Sequence, residues 1–478
     1  MTDSLVTVEE AAARLGLSVA SVRRRCAAGD LACQKVGRSW LIDASALPRR
    51  RASAGLGQVS AIVDFNEALR HLRTQDLRRD VWAPDVLLFA DDLAEQGSLI
   101  ARAAEKVDLL AAPDPAISVL VTKSPLFARQ GTDLSLADRL AYQATVQEIV
   151  KVTDPRLSPR SYASRLTLQL ARSSPGSGVT RWLQWRGDGR KALVACRGWM
   201  AQTDITRYFD FIEHRKLMQL LAEERRIPQQ ILRSLQAMLS AWALRKDIGL
   251  PQGPDASRPL ANFYMVEVDE ALTSMSEVEY FRYMDDIIVV SASRAAVTRA
   301  LRRIGELTYE LGLPISTQKT EVLPFQTALA RLNGEELRAV GNSYGETSVE
   351  DASEPDEDPS YLASVFGSAV ADEGKLAVRP ARYSLYRLYR VKSDVVLPAV
   401  LRSIDDLGPL GPLVPRYLSH WIDKPTVGES IGKYLNDPER NTSEYFAAWL
   451  MTAPLEHPTS VDLGIIDYAR RCRGLLKL

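Results

Sequence analysis

The chain has 478 residues, 60 basic and 60 acidic, and a formal net charge of zero; 46% of residues are hydrophobic and 25% charged. That mix suits a globular protein of about two to four domains. No apolar run approaches the roughly 18 residues of a membrane span, the start Met1-Thr2-Asp3-Ser4 lacks a secretory pattern, and Cys26, Cys33, Cys196 and Cys472 are too scattered for a disulfide framework or a zinc site. A cytoplasmic protein without membrane contact is the expectation.

In chain order, residues 1–48 come first. Thr7 through Leu15 predicts a helix opened by a capping box, with Thr7 as N-cap and Glu10 three positions on. Gly16-Leu17-Ser18 makes a turn, and Ser18 can cap a second helix carrying Ser21, Arg23, Arg24 and Arg25, which Gly29 ends. Lys35 through Ile42, with Arg38 among them, alternates like a short hairpin. Residues 5–46 resemble the excisionase or MerR-like winged helix-turn-helix family. The resemblance implies DNA contact through Arg23, Arg24, Arg25 and Arg38, the second helix lying in a major groove. The alternative is a retained fold that now touches protein or RNA.

Residues 49–59, opened by Arg49-Arg50-Arg51, read as a basic linker. Residues 60–325 form the largest unit, mixed helix and strand. Residues 326–359 end in the acidic, proline-containing stretch Glu350–Pro359, and residues 360–478 show helical periodicity. The fold class is α+β. Zero net charge leaves nucleic-acid binding open, because the local clustering of arginines decides it.

Two segments carry the chemistry. Gln202-Thr203-Asp204 reads as a strand ending in a carboxylate and running into a helix through Tyr208-Phe209-Asp210. Tyr280-Phe281-Arg282-Tyr283-Met284-Asp285-Asp286-Ile287-Ile288-Val289-Val290 places two adjacent carboxylates between an aromatic strand and a β-branched one, as in a hairpin. Acids in so apolar a context need compensating charge, and metal supplies it economically. Phosphoryl transfer to a nucleotide uses such carboxylates to hold two Mg²⁺ ions. Surface or N-capping acids are the competing explanation. Asp210 and Asp269 read as structural acids that cap or pair.

Tyr283-Met284-Asp285-Asp286 resembles the palm motif of reverse transcriptases, and Asp204 through Asp210 resembles their first carboxylate motif. Their order with three companions makes the likeness specific. Leu250-Pro251-Gln252-Gly253 is similar to a motif that supports the incoming nucleotide and template in bacterial members. Leu311-Gly312-Leu313-Pro314 through Lys319 resembles the next motif, and Val121-Thr122-Lys123 through Arg129 resembles the fingers segment. Pro254 and Arg258 depart from the intron-type pattern.

The likeness spans about residues 115–325. It implies a right-hand polymerase of fingers and palm, an RNA-directed DNA polymerase in which Asp204, Asp285 and Asp286 bind two Mg²⁺, Mn²⁺ being the alternative ion. Lys319 would act as general acid and Lys123 with Arg129 would clasp the triphosphate. Gln252, Gly253 and Tyr283 would line the substrate, and Phe209 would press on a ribose 2′-hydroxyl and favour deoxynucleotides. Implied partners are an RNA template, the DNA product, dNTPs and a companion noncoding RNA; a homo-oligomer is left open. The helical tail and the appended N-terminal module look most like the defence-associated and abortive-infection reverse transcriptases of bacteria. The alternatives are a retron or mobile-element enzyme, a template-independent DNA polymerase of abortive-infection type, or a nucleic-acid-binding regulator with a non-catalytic polymerase fold.

Overall fold

The computed structural model describes residues 5–8, 26, 33–36, 39–43, 58–77, 84, 93–165, 177–339, 358–371, 376–456, 464–466 and 468. They belong to two units, Met1–Gln58 and Val59–Leu478. In the first unit, β1 (Leu5–Thr7), β2 (Cys33–Val36) and β3 (Ser39–Asp43) form an antiparallel sheet in the order β1-β3-β2. Cys33 pairs with Ile42 and Val36 with Ser39. Val8, Cys26 and Ile42 are buried, and the Lys35 ammonium sits 5.8 Å over the Trp40 ring. Thr7 closes β1 and Val8 is already helical. Arg23, Arg24, Arg25 and Arg38 lie outside the described residues.

The second unit opens with α1 (Phe65–His71), whose N-cap Asp64 accepts from the amides of Asn66 and Glu67, and α2 (Gln96–Val107). A two-stranded hairpin follows, β4 (Ile117–Ser124) and β5 (Phe127–Asp133). The buried α3 (Leu136–Thr153) is capped by Ser135. Then come α4 (Ser177–Cys196), β6 (Trp199–Thr203), the single turn α5 (Tyr208–Phe211), α6 (His214–Glu223), α7 (Gln229–Trp242), α8 (Ser257–Tyr264) and α9 (Val266–Ser274).

β7 (Glu279–Tyr283), β8 (Asp286–Ser291) and β9 (Glu321–Pro324) join β6 in an antiparallel sheet ordered β7-β8-β6-β9. The β-branched run of β8 suits a central strand covered on both faces. Alternation divides its side chains. Ile287 and Val289 enter one core, with Val297, Ala300 and Ile304 of α10 (Arg294–Glu310). Ile288 and Val290 enter another, with Trp185 and Leu193 of α4 and with Ala328 and Leu332 of α11 (Phe325–Ala339).

The remaining helices are α12 (Pro359–Ala369), α13 (Val378–Arg390), α14 (Leu397–Arg402), α15 (Leu413–Ser419), α16 (Pro425–Asn436) and α17 (Glu444–Leu450). They share a third core, and Val121 of β4 belongs to it. Tyr383 and Tyr389 pack against that core, with Tyr389 stacked on His420 at 4.9 Å. The helical tail therefore shares one unit with the sheet and the hairpin.

Candidate active site

Asp204 follows β6 directly, and the last β6–β8 pair is Thr203 with Ile287. Asp204 therefore leaves β6 beside the start of β8, whose first residue is Asp286. Tyr283 pairs with Asp286 across β7 and β8, so Met284 and Asp285 form the two-residue turn between them. The three carboxylates occupy adjoining strand ends because neighbouring strands share one register. Met284 adopts a left-handed backbone, φ 57°, which is uncommon for a side-chain-bearing residue.

Segment 314–320 runs along the same edge. Ser316 N–H donates to the Asp204 carbonyl at 2.8 Å and Thr206 N–H to the Pro314 carbonyl at 2.8 Å. The Thr203 and Thr320 hydroxyls are 2.7 Å apart. The segment turns at Gly312, φ +72°, where an added Cβ would lie 2.7 Å from Glu213 Oε1. These contacts bring Lys319 Nζ to 2.6 Å from Asp204 Oδ2.

Desolvation pulls the Lys319 ammonium down, but the Asp204 hydrogen bond and the charges of Asp204, Asp286 and Asp285 outweigh it, and the net direction is up. All three carboxylates thus act on one ammonium. Asp285 is pushed up to about 6 by burial first and by the Asp204 charge second, with Lys319 and Lys123 opposing. Charging this acid in the free protein is costly, and a bound cation would relieve that cost.

Among the described residues, no three His, Cys, Asp or Glu side chains stand close enough together to form a ready metal cage. The donor set nevertheless fits a hard divalent cation: carboxylate oxygens on adjoining strand ends, one with raised basicity, and one already bound to a lysine ammonium.

The hairpin β4–β5 brings its own cations. Val121 pairs with Arg129, and a register shift falls between Thr122 and Ser124, at Lys123. The Lys123 charge reaches Asp285. Crowding by protein lowers the Arg129 guanidinium, whose charged neighbours include Arg258, Asp210 and Asp285. Thr132 N–H donates to the Gln252 carbonyl at 2.7 Å, tying β5 to the Gln252–Gly253 loop. Gly253 has φ +140°, a backbone open to glycine. The Gln252 amide donates to Asp210 Oδ1, and Arg207 Nε donates to Asp210 Oδ2 at 2.6 Å.

Phe209 is half-buried, edge-on to Tyr208 with centroids 5.8 Å apart. Tyr283 is half-buried beside Trp185, at 5.9 Å. Behind the Gln252–Gly253 loop, Asp255 N–H donates to Asp76 Oδ1 at 2.6 Å and Arg139 pairs with Asp76 at 2.9 Å.

Sequence reasoning missed Arg282. It is fully buried and donates through Nε to Asp269 Oδ1 at 2.8 Å, and through Nη1 to Asn262 Oδ1 at 2.8 Å and to the Met284 carbonyl at 2.9 Å. A charged residue inside an aromatic strand was the available signal, since a buried arginine requires a carboxylate partner. Asp269 is that partner.

Residues 134–342 match the reverse transcriptase (RNA-dependent DNA polymerase) family, and residues 5–50 match a helix-turn-helix domain. The first match makes the chain a nucleotidyltransferase. It carries a reverse transcriptase domain over less than half its length and is by that domain an RNA-directed DNA polymerase. No curated protein matches the chain. A solved telomerase from Candida albicans, in complex with a TWJ fragment of telomeric RNA, is similar over 75% of this chain and 68% of that one. Its identity is 11% and its TM-score 0.35, too slight to carry an argument. Among the described residues no helix is long and apolar enough to cross a membrane.

Proposed function

We propose that Asp204, Asp285 and Asp286 hold two Mg²⁺ ions, with Mn²⁺ as substitute, and that the chain adds deoxynucleotides to a primer on an RNA template. The observation that carries this reading is the convergence of the three carboxylates on Lys319, fixed by the β6–β8 and β7–β8 registers. The bound ions would polarise the attacking hydroxyl and steady the leaving group.

The chain's own residues do the rest. Lys319 carries a proton at Nζ that it can pass to pyrophosphate. Lys123 and Arg129, on the fingers hairpin, bind the triphosphate oxygens. Phe209 sits under the sugar and disfavours a 2′-hydroxyl, while Gln252, Gly253 and Tyr283 shape the pocket floor. Catalysis is then positioning and charge neutralisation.

In the winged helix-turn-helix module, Arg23, Arg24, Arg25 and Arg38 bind DNA. The cellular role is cytoplasmic anti-phage defence, with a companion noncoding RNA among the partners. The assay is incorporation of labelled dNTPs by purified protein with Mg²⁺, on poly(rA)/oligo(dT) or with no template. Incorporation lost in Asp285→Asn supports the reading; template-free product points to the abortive-infection type. A defence role requires that the same substitution restore phage plaques in cells carrying the protein.

A further inference from the structure

The β4–β5 hairpin is held from two sides. Toward the sheet, Thr132 bonds to the Gln252 carbonyl. On the other side β4 docks into the C-terminal helices: Val121 is buried in their core and Val119 packs against it. The Thr122 hydroxyl lies 2.7 Å from that of Ser443, the residue that caps α17. A Cβ built on Gly408, in the turn Gly408–Leu410, would meet the Thr122 methyl at 3.1 Å, so glycine lets the turn approach the strand. Tyr445, two residues beyond Ser443, is buried in the same core as Val121, and Val121 faces Arg129 in the register.

We infer that the C-terminal helices are a positioning element of the nucleotide pocket, holding the β4–β5 hairpin through Thr122, Gly408, Ser443 and Tyr445 so that Lys123 and Arg129 face the palm carboxylates. This rests on the polymerase reading above. A mobile hairpin would have to be ordered each time a nucleotide bound, at a cost in affinity. A docked hairpin has already met that cost. Disturbing the contact must therefore weaken nucleotide binding and leave the chemical step alone.

The test uses the full chain on poly(rA)/oligo(dT) with dTTP, together with amide hydrogen exchange over residues 117–133. Gly408→Val wedges bulk against Thr122; it should raise the dTTP KM about tenfold, keep kcat within about twofold, and speed exchange in the hairpin. Thr122→Val, an isosteric change, removes the hydroxyl contact and should raise KM about fivefold, the worth of one ordinary hydrogen bond. Gly367→Ala, on α12 with nothing within 4 Å of the new Cβ, should change nothing.

If folded Gly408→Val leaves KM or hairpin exchange at the parent's value, or lowers kcat alone, the inference is overturned. If Gly408→Val does not fold, Thr122→Val decides by the same criteria. Incorporation that persists in Asp285→Asn would instead remove the polymerase reading, while exchange still reports on the docking itself.

Discussion

Lys319 Nζ donates to Asp204 Oδ2 at 2.6 Å, joining the end of β6 to the segment that leads into β9. The lysine is well exposed on its other side, so it can turn from the carboxylate toward a leaving group. Lys319→Met should lower kcat by about 10²- to 10⁴-fold, the range of a lost general acid, with the dNTP KM little changed. Single-turnover incorporation measures it. A parent-like kcat would leave Lys319 only as a counter-ion.

Asp285 links pH to stability. Its acid is raised from 3.8 to about 6 in the fold, so folding favours the protonated form. That stabilisation is complete below about pH 3.8 and is lost as pH rises through about 6. The metal-free protein should therefore lose stability over this window, by about 3 kcal/mol. Asp285→Asn, which does not ionise, should melt higher than the parent at pH 8 and similarly near pH 4. Thermal melts in EDTA test this, and added Mg²⁺ should narrow the gap at pH 8.

Arg282 and Asp269 form a buried pair beneath the Asp285 turn. Arg282→Met should cost about 3–5 kcal/mol by stranding the Asp269 charge. Arg282→Met with Asp269→Leu should recover most of that stability in denaturant titrations. It should not recover kcat, because the Met284 carbonyl still lacks its donor. Recovery of both would make Arg282 merely structural.

Phe209 provides a selectivity test. Phe209→Ala should reduce the dNTP preference, measured as the ratio of kcat/KM for dTTP and UTP, by on the order of 10- to 100-fold. An unchanged ratio would leave Phe209 as a core residue.

Much of this site is legible locally. An Asp pair after an aromatic strand and before Ile287–Val290 reads as a hairpin, because side-chain alternation and β-branching are properties of neighbouring residues. Ion-pair partners are another matter. Nothing in the sequence couples Arg282 to Asp269 rather than to Asp285 next door, yet the helix α9 supplies the carboxylate.

Sequence alone determined that three acids, a lysine and a glycine-bearing loop occur in an order suited to nucleotidyl transfer, since composition and spacing are written along the chain. Only tertiary structure decided that β6 pairs with β8 and so brings Asp204 beside the start of β8, that Lys319 folds back 115 residues onto Asp204, and that the C-terminal helices grip the β4 strand through Thr122 and Ser443, 321 residues apart. The physical reason is that strand register and helix docking are set by burial of apolar faces distant in sequence. Periodicity reveals that such faces exist; their partners appear only when the chain has closed on itself.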